Sequence, residues 1–101
     1  MIYRARTVTV TFEKAEAMRS LLVRGAAYVG EHYAGIQVEI LENVAGPRRE
    51  LHMVTRCESL AALERYEAER RDDAGWLAWL AEAQALQGSV DASDHLYRVL
   101  E

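Results

Sequence analysis

Four stretches of this chain alternate between apolar and polar residues, and the segments between them recur at three- and four-residue steps instead. Alternation is the period of a strand with one buried face, and the longer step is that of an amphipathic helix. Tyr3 to Phe12 (YRARTVTVTF) is rich in β-branched residues, with Val8, Val10 and Phe12 on one side and Thr7, Thr9 and Thr11 on the other. It predicts a strand with one apolar face. From Glu13 to Tyr33 the residues Met18, Leu21, Leu22, Gly25, Ala26 and Val29 line one stripe, which predicts a helix. Glu13 and Glu16 stand near its positive end, and Gly35 is a natural stop. Gly25, lying on the stripe, is expected to let this helix approach the sheet closely.

Ile36 to Asn43 alternates again, and Val44-Ala45-Gly46-Pro47 turns the chain into Arg48 to Cys57 (RRELHMVTRC). A turn this short between two alternating segments predicts an antiparallel hairpin. In the second segment Leu51, Met53 and Cys57 share one side, and His52, Val54 and Arg56 the other. Ser59 is placed to cap a helix that carries Leu60, Leu63 and Tyr66 or Glu67 inward. At Arg70-Arg71-Asp72-Asp73-Ala74-Gly75 a break is expected, with Asp72 or Asp73 capping a second helical piece, Ala74 to Gln87. The stripe of that piece is Trp76, Trp79, Leu80 and Ala83. Gly88 to Ser93 reads as a polar linker, and Asp94 to Leu100 (DHLYRVL) as a closing strand. The order is β-α-β-β-α-β, an α+β ferredoxin-like sandwich: a four-stranded antiparallel sheet with its helices on one face and its first and third strands in the middle.

Length and composition narrow this further. A chain of 101 residues suits one domain spanning 1–101, and 28% charged residues with half hydrophobic is ordinary for a globular protein. A domain this small gains by burying a sheet face against a second copy, so a homodimer through the sheet is expected. The net charge of −4 and the lack of a basic run disfavour nucleic acid as a partner. Cys57 is the only cysteine, which rules out an internal disulfide and fits a cytoplasmic setting. Met1 to Arg6 has no secretory pattern, and no apolar run approaches the roughly 20 residues that would cross a bilayer.

Candidate chemistry is sparse. His52, in the middle of the predicted inner strand, is a candidate general base. Glu39 on the hairpin partner is placed to orient it, and Arg56 lies one step further along the same face. A histidine hydrogen-bonded beside Glu39, Thr7 and Thr9 is the commoner outcome for such a group. Tyr33, Tyr66, Trp76 and Trp79 are suited either to wall a pocket for a flat organic ligand or to pack the second helical piece. Arg4, Arg6 and Arg98 form a candidate anion cluster, with solvated strand ends or ion pairs to Glu50 and Asp94 as the plainer alternative. His32, His52 and His95 lack metal-ligand spacing, and neither metal nor cofactor is expected. Cys57, on the apolar face, reads as a buried, inert thiol.

Thr7-Val8-Thr9-Val10, Leu51-His52-Met53-Val54 leading into Ser59-Leu60, Asp73-Ala74-Gly75-Trp76 and Leu96-Tyr97-Arg98-Val99 together resemble the dimeric α/β-barrel superfamily. Within it the chain looks like the small bacterial NIPSNAP-like proteins. The resemblance spans nearly the whole chain as a pattern, and implies two ferredoxin-like subunits joined into one barrel. It also implies a range of activities: cofactor-free monooxygenases, haem-degrading enzymes, isomerases and members with no established activity. Haem-handling members carry a histidine on the second helix, and Ser59 to Gln87 has none. Quinone-type monooxygenases place a tryptophan near the substrate, whereas both tryptophans here follow the helix break. Two functions are therefore expected. One is a dimer that binds a small organic molecule in a barrel or helix–sheet pocket, as a cofactor-independent oxygenase or isomerase using His52 and Arg56, with Glu39, Tyr66, Trp76 and Trp79 at the substrate. The other is a non-catalytic homodimeric module for a metabolite or a protein.

Overall fold

The first strand, β1 (Ile2–Val10), is the axis of the sheet. The computed structural model describes all 101 residues, Met1 to Glu101. After β1 come a short 3-10 turn at Phe12–Lys14, helix α1 (Ala15–His32), and the hairpin of β2 (Gln37–Glu42) with β3 (Glu50–Cys57). Helices α2 (Leu60–Arg70) and α3 (Ala74–Leu86) lead to the last strand, β4 (Ser89–Arg98). The strands lie in the order β2-β3-β1-β4, and every neighbouring pair is antiparallel. This is the ferredoxin-like α+β arrangement, with the helices on one face and β1 and β3 inside.

Alternation settles which residues face the helices. On β3 these are Leu51, Met53, Thr55 and Cys57, and on β1 they are Ile2, Val8 and Val10 with Arg4 and Arg6 between them. The apolar layer falls into two clusters. One gathers Ile2, Val29, Tyr33, Ile36, Cys57, Leu63, Tyr66 and Trp76; the other gathers Val8, Val10, Met18, Leu21, Leu22 and Leu51. Trp79 packs against both.

Several local expectations give way to tertiary contacts. Phe12 is not on the strand: β1 ends at Val10 after a register shift at Thr9, Thr11 N–H bonds Gly88 O, and Phe12 is left exposed in the turn. Leu60 and Leu80, placed inward by periodicity, are exposed, because Leu63 and Tyr66 on α2 and Trp76 on α3 take the covered positions. The stretch after Gly88 is strand rather than linker. Ser89 to Ser93 has little β propensity, yet it hydrogen-bonds along β1, and pairing overrides propensity. Leu100 lies beyond the strand and is exposed.

The caps follow the sequence. Ser59 Oγ accepts from Ala62 N–H at 3.1 Å, and Asp73 caps α3. At its other end α3 stops in a left-handed Gln87 (φ 49°), and the Lys14 ammonium donates to Leu86 O at 2.6 Å, where the helix end is negative. Gly25 faces α3 rather than the sheet. Its missing side chain admits the Trp79 indole, whose Nε1–H donates to Leu21 O at 2.8 Å.

That contact makes a sharp contrast between two glycines of the same helix. A methyl at Gly25 would stand 2.6 Å from Trp79 Cε2, whereas one at Gly30 meets nothing within 4 Å. Gly30→Ala is expected to stabilise by about 0.5–1 kcal/mol through helix propensity. Gly25→Ala should gain the same propensity and lose more, by about 1–3 kcal/mol of overpacking against a ring that is itself hydrogen-bonded. Urea unfolding of the two variants checks it: midpoints that move in the same direction would contradict the contact.

Candidate functional site

The gap between the two apolar clusters is occupied by arginine. Arg4 and Arg6 have the same parity as Val8 and Val10, so the pleat turns them toward the helices. An unpaired ion buried in such a layer costs several kcal/mol, a demand that falls on the covered Arg4 and much less on the half-exposed Arg6. Arg4, whose side chain is only 13% exposed, pairs with Glu67 of α2. Arg6 meets Asp94, its register partner on β4, in a two-pronged pair: Nε to Oδ1 and Nη2 to Oδ2, both 2.7 Å. That hydrogen bond lowers the Asp94 carboxyl below its usual range and raises the Arg6 guanidinium, to which Glu67 adds. The result is a charged row with β1 and β4 as floor. No residue of β4 is buried, so the row opens outward along that edge.

The wall above the row comes from the α2–α3 corner. Tyr66 faces inward one turn before the end of α2, and Trp76 in the first turn of α3. The Arg70 guanidinium lies between them, its carbon 4.4 Å from each ring centroid, and its Nη1 donates to the Tyr66 hydroxyl at 3.2 Å. Burial raises the Tyr66 phenol, against the pull of Arg70 and Arg4. The corner itself is fixed by one carboxylate. Asp73 Oδ1 accepts from the Tyr28 hydroxyl at 2.6 Å and from the N–H groups of Gly75 and Trp76 at 2.9 and 3.2 Å, and Oδ2 accepts from the Tyr33 hydroxyl. The bonds from Tyr28 and Tyr33, with the two amides, hold the Asp73 carboxyl at about 2, against an ordinary 3.8. Tyr33 is pushed well up, by burial first and then by Asp73. Tyr33 also meets Tyr66 edge to face, centroids 5.0 Å apart, so the end of α1 is tied to both later helices.

The opposite, open face of the sheet carries a separate polar chain. Asn43 Nδ2 donates to Pro47 O at 2.7 Å and to Glu50 Oε1 at 3.1 Å. A carbonyl can only accept, so the amide oxygen of Asn43 must be the atom facing His52 Nε2 at 2.7 Å. His52 Nε2 therefore carries the proton, and Nδ1 accepts from the Thr7 hydroxyl at 2.9 Å. Asn43 takes the orienting place expected of Glu39, which lies opposite Val54 instead. Arg56 is exposed on the same face, opposite Gln37 and Tyr3.

The sequence candidates thus divide between two places. Tyr66 and Trp76 stand together at the charged row. Trp79 stacks on Trp76, centroids 4.8 Å apart, and fills the α1–α3 contact. Glu39, His52 and Arg56 lie on the other side of the sheet. His32 stacks on Tyr28 at the end of α1, and His95 is on β4, next to β1 and not β3. No three His, Cys, Asp or Glu side chains gather closely enough to share an ion. Cys57 is buried, its thiol directed at Ser59 O. The ion pair to Asp94 is the plainer alternative that the sequence offered for these arginines, made here by Arg6; sequence reasoning missed Glu67 and Arg70 as parts of the same cluster. The available signal was the parity of Arg4 and Arg6 with Val8 and Val10.

Comparison with solved structures matches this architecture end to end. A NIPSNAP domain protein from Burkholderia xenovorans superposes with a TM-score of 0.82 at 10% identity, covering 99% of this chain and 95% of its own. A NIPSNAP family protein of unknown function from Agrobacterium tumefaciens gives 0.76 at 19% identity, over 96% and 86%. The chain shares the ferredoxin-like α+β fold of these proteins. A point variant of SnoaB, a cofactor-independent oxygenase from Streptomyces nogalater, gives 0.72 at 18% identity, over 99% and 93%. No protein-family model and no curated protein matches the sequence. At these identities the likeness is one of fold.

Two outcomes test the site as built. Glu67→Gln leaves Arg4 without its anion; a fully buried pair would lose about 3–5 kcal/mol, but Glu67 is 37% exposed, so about 1–2 kcal/mol is expected in urea unfolding. Asp73 sets the acid limb of stability. Its carboxyl titrates lower in the folded chain than in the unfolded one, so its contribution is complete above the ordinary 3.8 and is lost as pH falls through about 2. Asp73→Asn should lower the melting temperature at neutral pH and flatten its dependence between pH 4 and about 2. A melting curve that falls equally steeply in both proteins there would contradict the assignment.

Proposed function

We propose that this chain binds a small organic molecule between helices and sheet, where α2 and α3 meet the β1–β4 edge, and does so as a cytoplasmic homodimer in which residues 1–101 act as one domain. The observation that carries this is the pair Arg4 and Arg6 at helix-facing positions of the central strand. At the covered Arg4 a sheet built only for stability would place an aliphatic residue, since an ion pair in a core is no better for stability than hydrocarbon of the same volume. Charge beside buried aromatic rings, open along one edge, has the chemistry of a ligand site. The dimer is supported by the uncovered open face, where Leu41 and Tyr97 are exposed, and by the exposure of all of β4.

For reaction class, the fold shared with a cofactor-independent oxygenase supports an oxygenase or isomerase working without a cofactor; with His52 as base and Arg56 as electrostatic helper, its reacting substrate sits on the open face, across the sheet from Arg4 and Arg6. A second reading, a non-catalytic metabolite-binding module, is favoured by one specific fact. Both ring nitrogens of His52 are engaged within the chain, by Thr7 and Asn43.

Light scattering at micromolar concentration should give a dimer, and a clean monomer would remove that part of the proposal. Native mass spectrometry of freshly purified protein should show a retained small molecule or saturable uptake of one. Oxygen consumption on a panel of hydroxyaromatic compounds separates the two readings. Turnover that disappears in a folded His52→Ala variant supports the oxygenase, and binding without turnover in the parent protein assigns the module.

A further inference from the structure

The polar chain on the open face runs in one direction. Glu50 and Pro47 O hold the amide nitrogen of Asn43, Asn43 Oδ1 takes the proton of His52 Nε2, and His52 Nδ1 is left to accept from the Thr7 hydroxyl at 2.9 Å. A hydroxyl that donates to an imidazole, with the other ring nitrogen oriented by a third group, is the arrangement that makes a hydroxyl nucleophilic. Thr9, one same-face step along β1, touches no histidine, because its register partner is Glu50. Thr7 and His52 are both partly exposed. Beside them is a hollow of about 390 Å³, lined by Thr9, Pro47, Arg49, Glu50 and Val90 among others. Thr9 and Glu50 are the last pair of the β1–β3 ladder, two residues beyond Thr7 and His52, so the hollow begins roughly 7 Å from the reacting pair. It opens at the strand ends, where a barrel of two such sheets would have its mouth. Across from Thr7 on β4 stands Ser93, its register partner, with a hydroxyl on the same face.

We propose that Thr7 and His52 are the nucleophile and base of a hydrolytic site for small carboxylic esters, with Asn43 as the residue that positions His52. Thr7 Oγ1 attacks the ester carbonyl carbon, and its proton passes to His52 Nδ1 as the Oγ1–C bond forms. The tetrahedral adduct then breaks its bond to the leaving oxygen, which takes the proton back from Nδ1. Water, activated by the same nitrogen, cleaves the acyl group from Thr7, so that ester and water become acid and alcohol with nothing oxidised or reduced. The hydroxyls of Ser93 and Thr9 flank Thr7 and are the donors available to the developing oxyanion. Asn43 holds the ring with its proton on Nε2, which keeps Nδ1 free to act, and Glu50 and Pro47 fix Asn43 in turn. The occupied Nδ1 of His52 is thus a base already joined to the proton it removes. This activity shares only His52 with the oxygenase reading above and does not rest on it.

The probe is p-nitrophenyl acetate mixed with the full chain, read by release of nitrophenolate and by peptide mass spectrometry after an acid quench. A burst of about one equivalent per chain is expected, with an acetyl group on Thr7. Thr7→Val and His52→Gln should abolish both burst and label, and Thr7→Ser should keep them. Asn43→Ala should slow acylation at least about tenfold, and Asn43→Asp, whose carboxylate accepts from the same Nε2–H, should restore it. That rescue is what a merely structural Asn43 would not give. If Asn43→Ala does not fold, the contrast between Thr7→Val and Thr7→Ser still decides. No acylation, acetyl found only on Lys14 or the amino terminus, or a burst that survives in Thr7→Val overturns the proposal. Equal rates in folded Asn43→Ala and Asn43→Asp overturn the positioning role. Hydrolysis consumes no oxygen, so this result stands apart from the oxygen-consumption test.

Discussion

A guanidinium turned into the layer between a sheet and its helices has to be answered by something, and most of this structure can be understood as the answer. Arg4 and Arg6 divide the apolar interior into two clusters. One is built around Tyr33, Tyr66 and Trp76, the other around Leu21, Leu22 and Leu51. Desolvating such a group without a partner costs more than a small domain can lose. Hence α2 must bring Glu67 over the covered Arg4, while the half-exposed Arg6 meets Asp94, its register partner on β4. The Arg4–Glu67 pair therefore constrains where the second helix lies.

Helix positions follow from two further contacts of small size. Asp73 collects four hydrogen bonds at the α2–α3 corner, two from tyrosines near the end of α1 and two from the amides it caps. One carboxylate thereby fixes three helices relative to each other and orients Trp76. Farther along, the bare backbone at Gly25 accepts the Trp79 ring, which ties α3 to the middle of α1. Tyr66 and Trp76 can hold Arg70 between them because these two anchors determine where their rings stand. The placing of these two rings thus comes from packing some distance away.

The sheet has two chemically different sides. On the helix side, charges are paired with charges. On the open side, Thr7, His52, Asn43 and Glu50 form a chain of neutral and charged hydrogen bonds that also pins the β2–β3 loop through Pro47. The pleat keeps the two sets apart, since neighbouring residues of a strand point in opposite directions. The Arg4–Arg6 row and His52 are thus located on separate faces. In a barrel formed by two sheets the open face would become interior, and its histidine would be enclosed by the second copy.

Periodicity alone was enough for the order of elements, the inner position of β1 and β3, the cap at Ser59 and the break before α3. These depend on local geometry: which side of a strand or helix a residue faces, and whether a short polar side chain can reach a free amide. The chemistry of His52 was legible only as a residue type. Glu39 and Asn43 are both reachable from it, and the turn from Asn43 to Arg49 decided between them. Ser89 to Ser93 read as linker because its composition carries no strand preference, and only pairing with β1 makes it one. Leu60, Leu80 and Phe12 read as core because an apolar residue on the right stripe is indistinguishable from a covered one until the neighbouring element is in place. The cluster of Arg4, Arg6, Glu67, Arg70 and Asp94 spans almost the whole chain. Sequence set the facing of its two strand arginines, while the partners of each were decided by tertiary structure, because a charge is matched through space and not along the backbone.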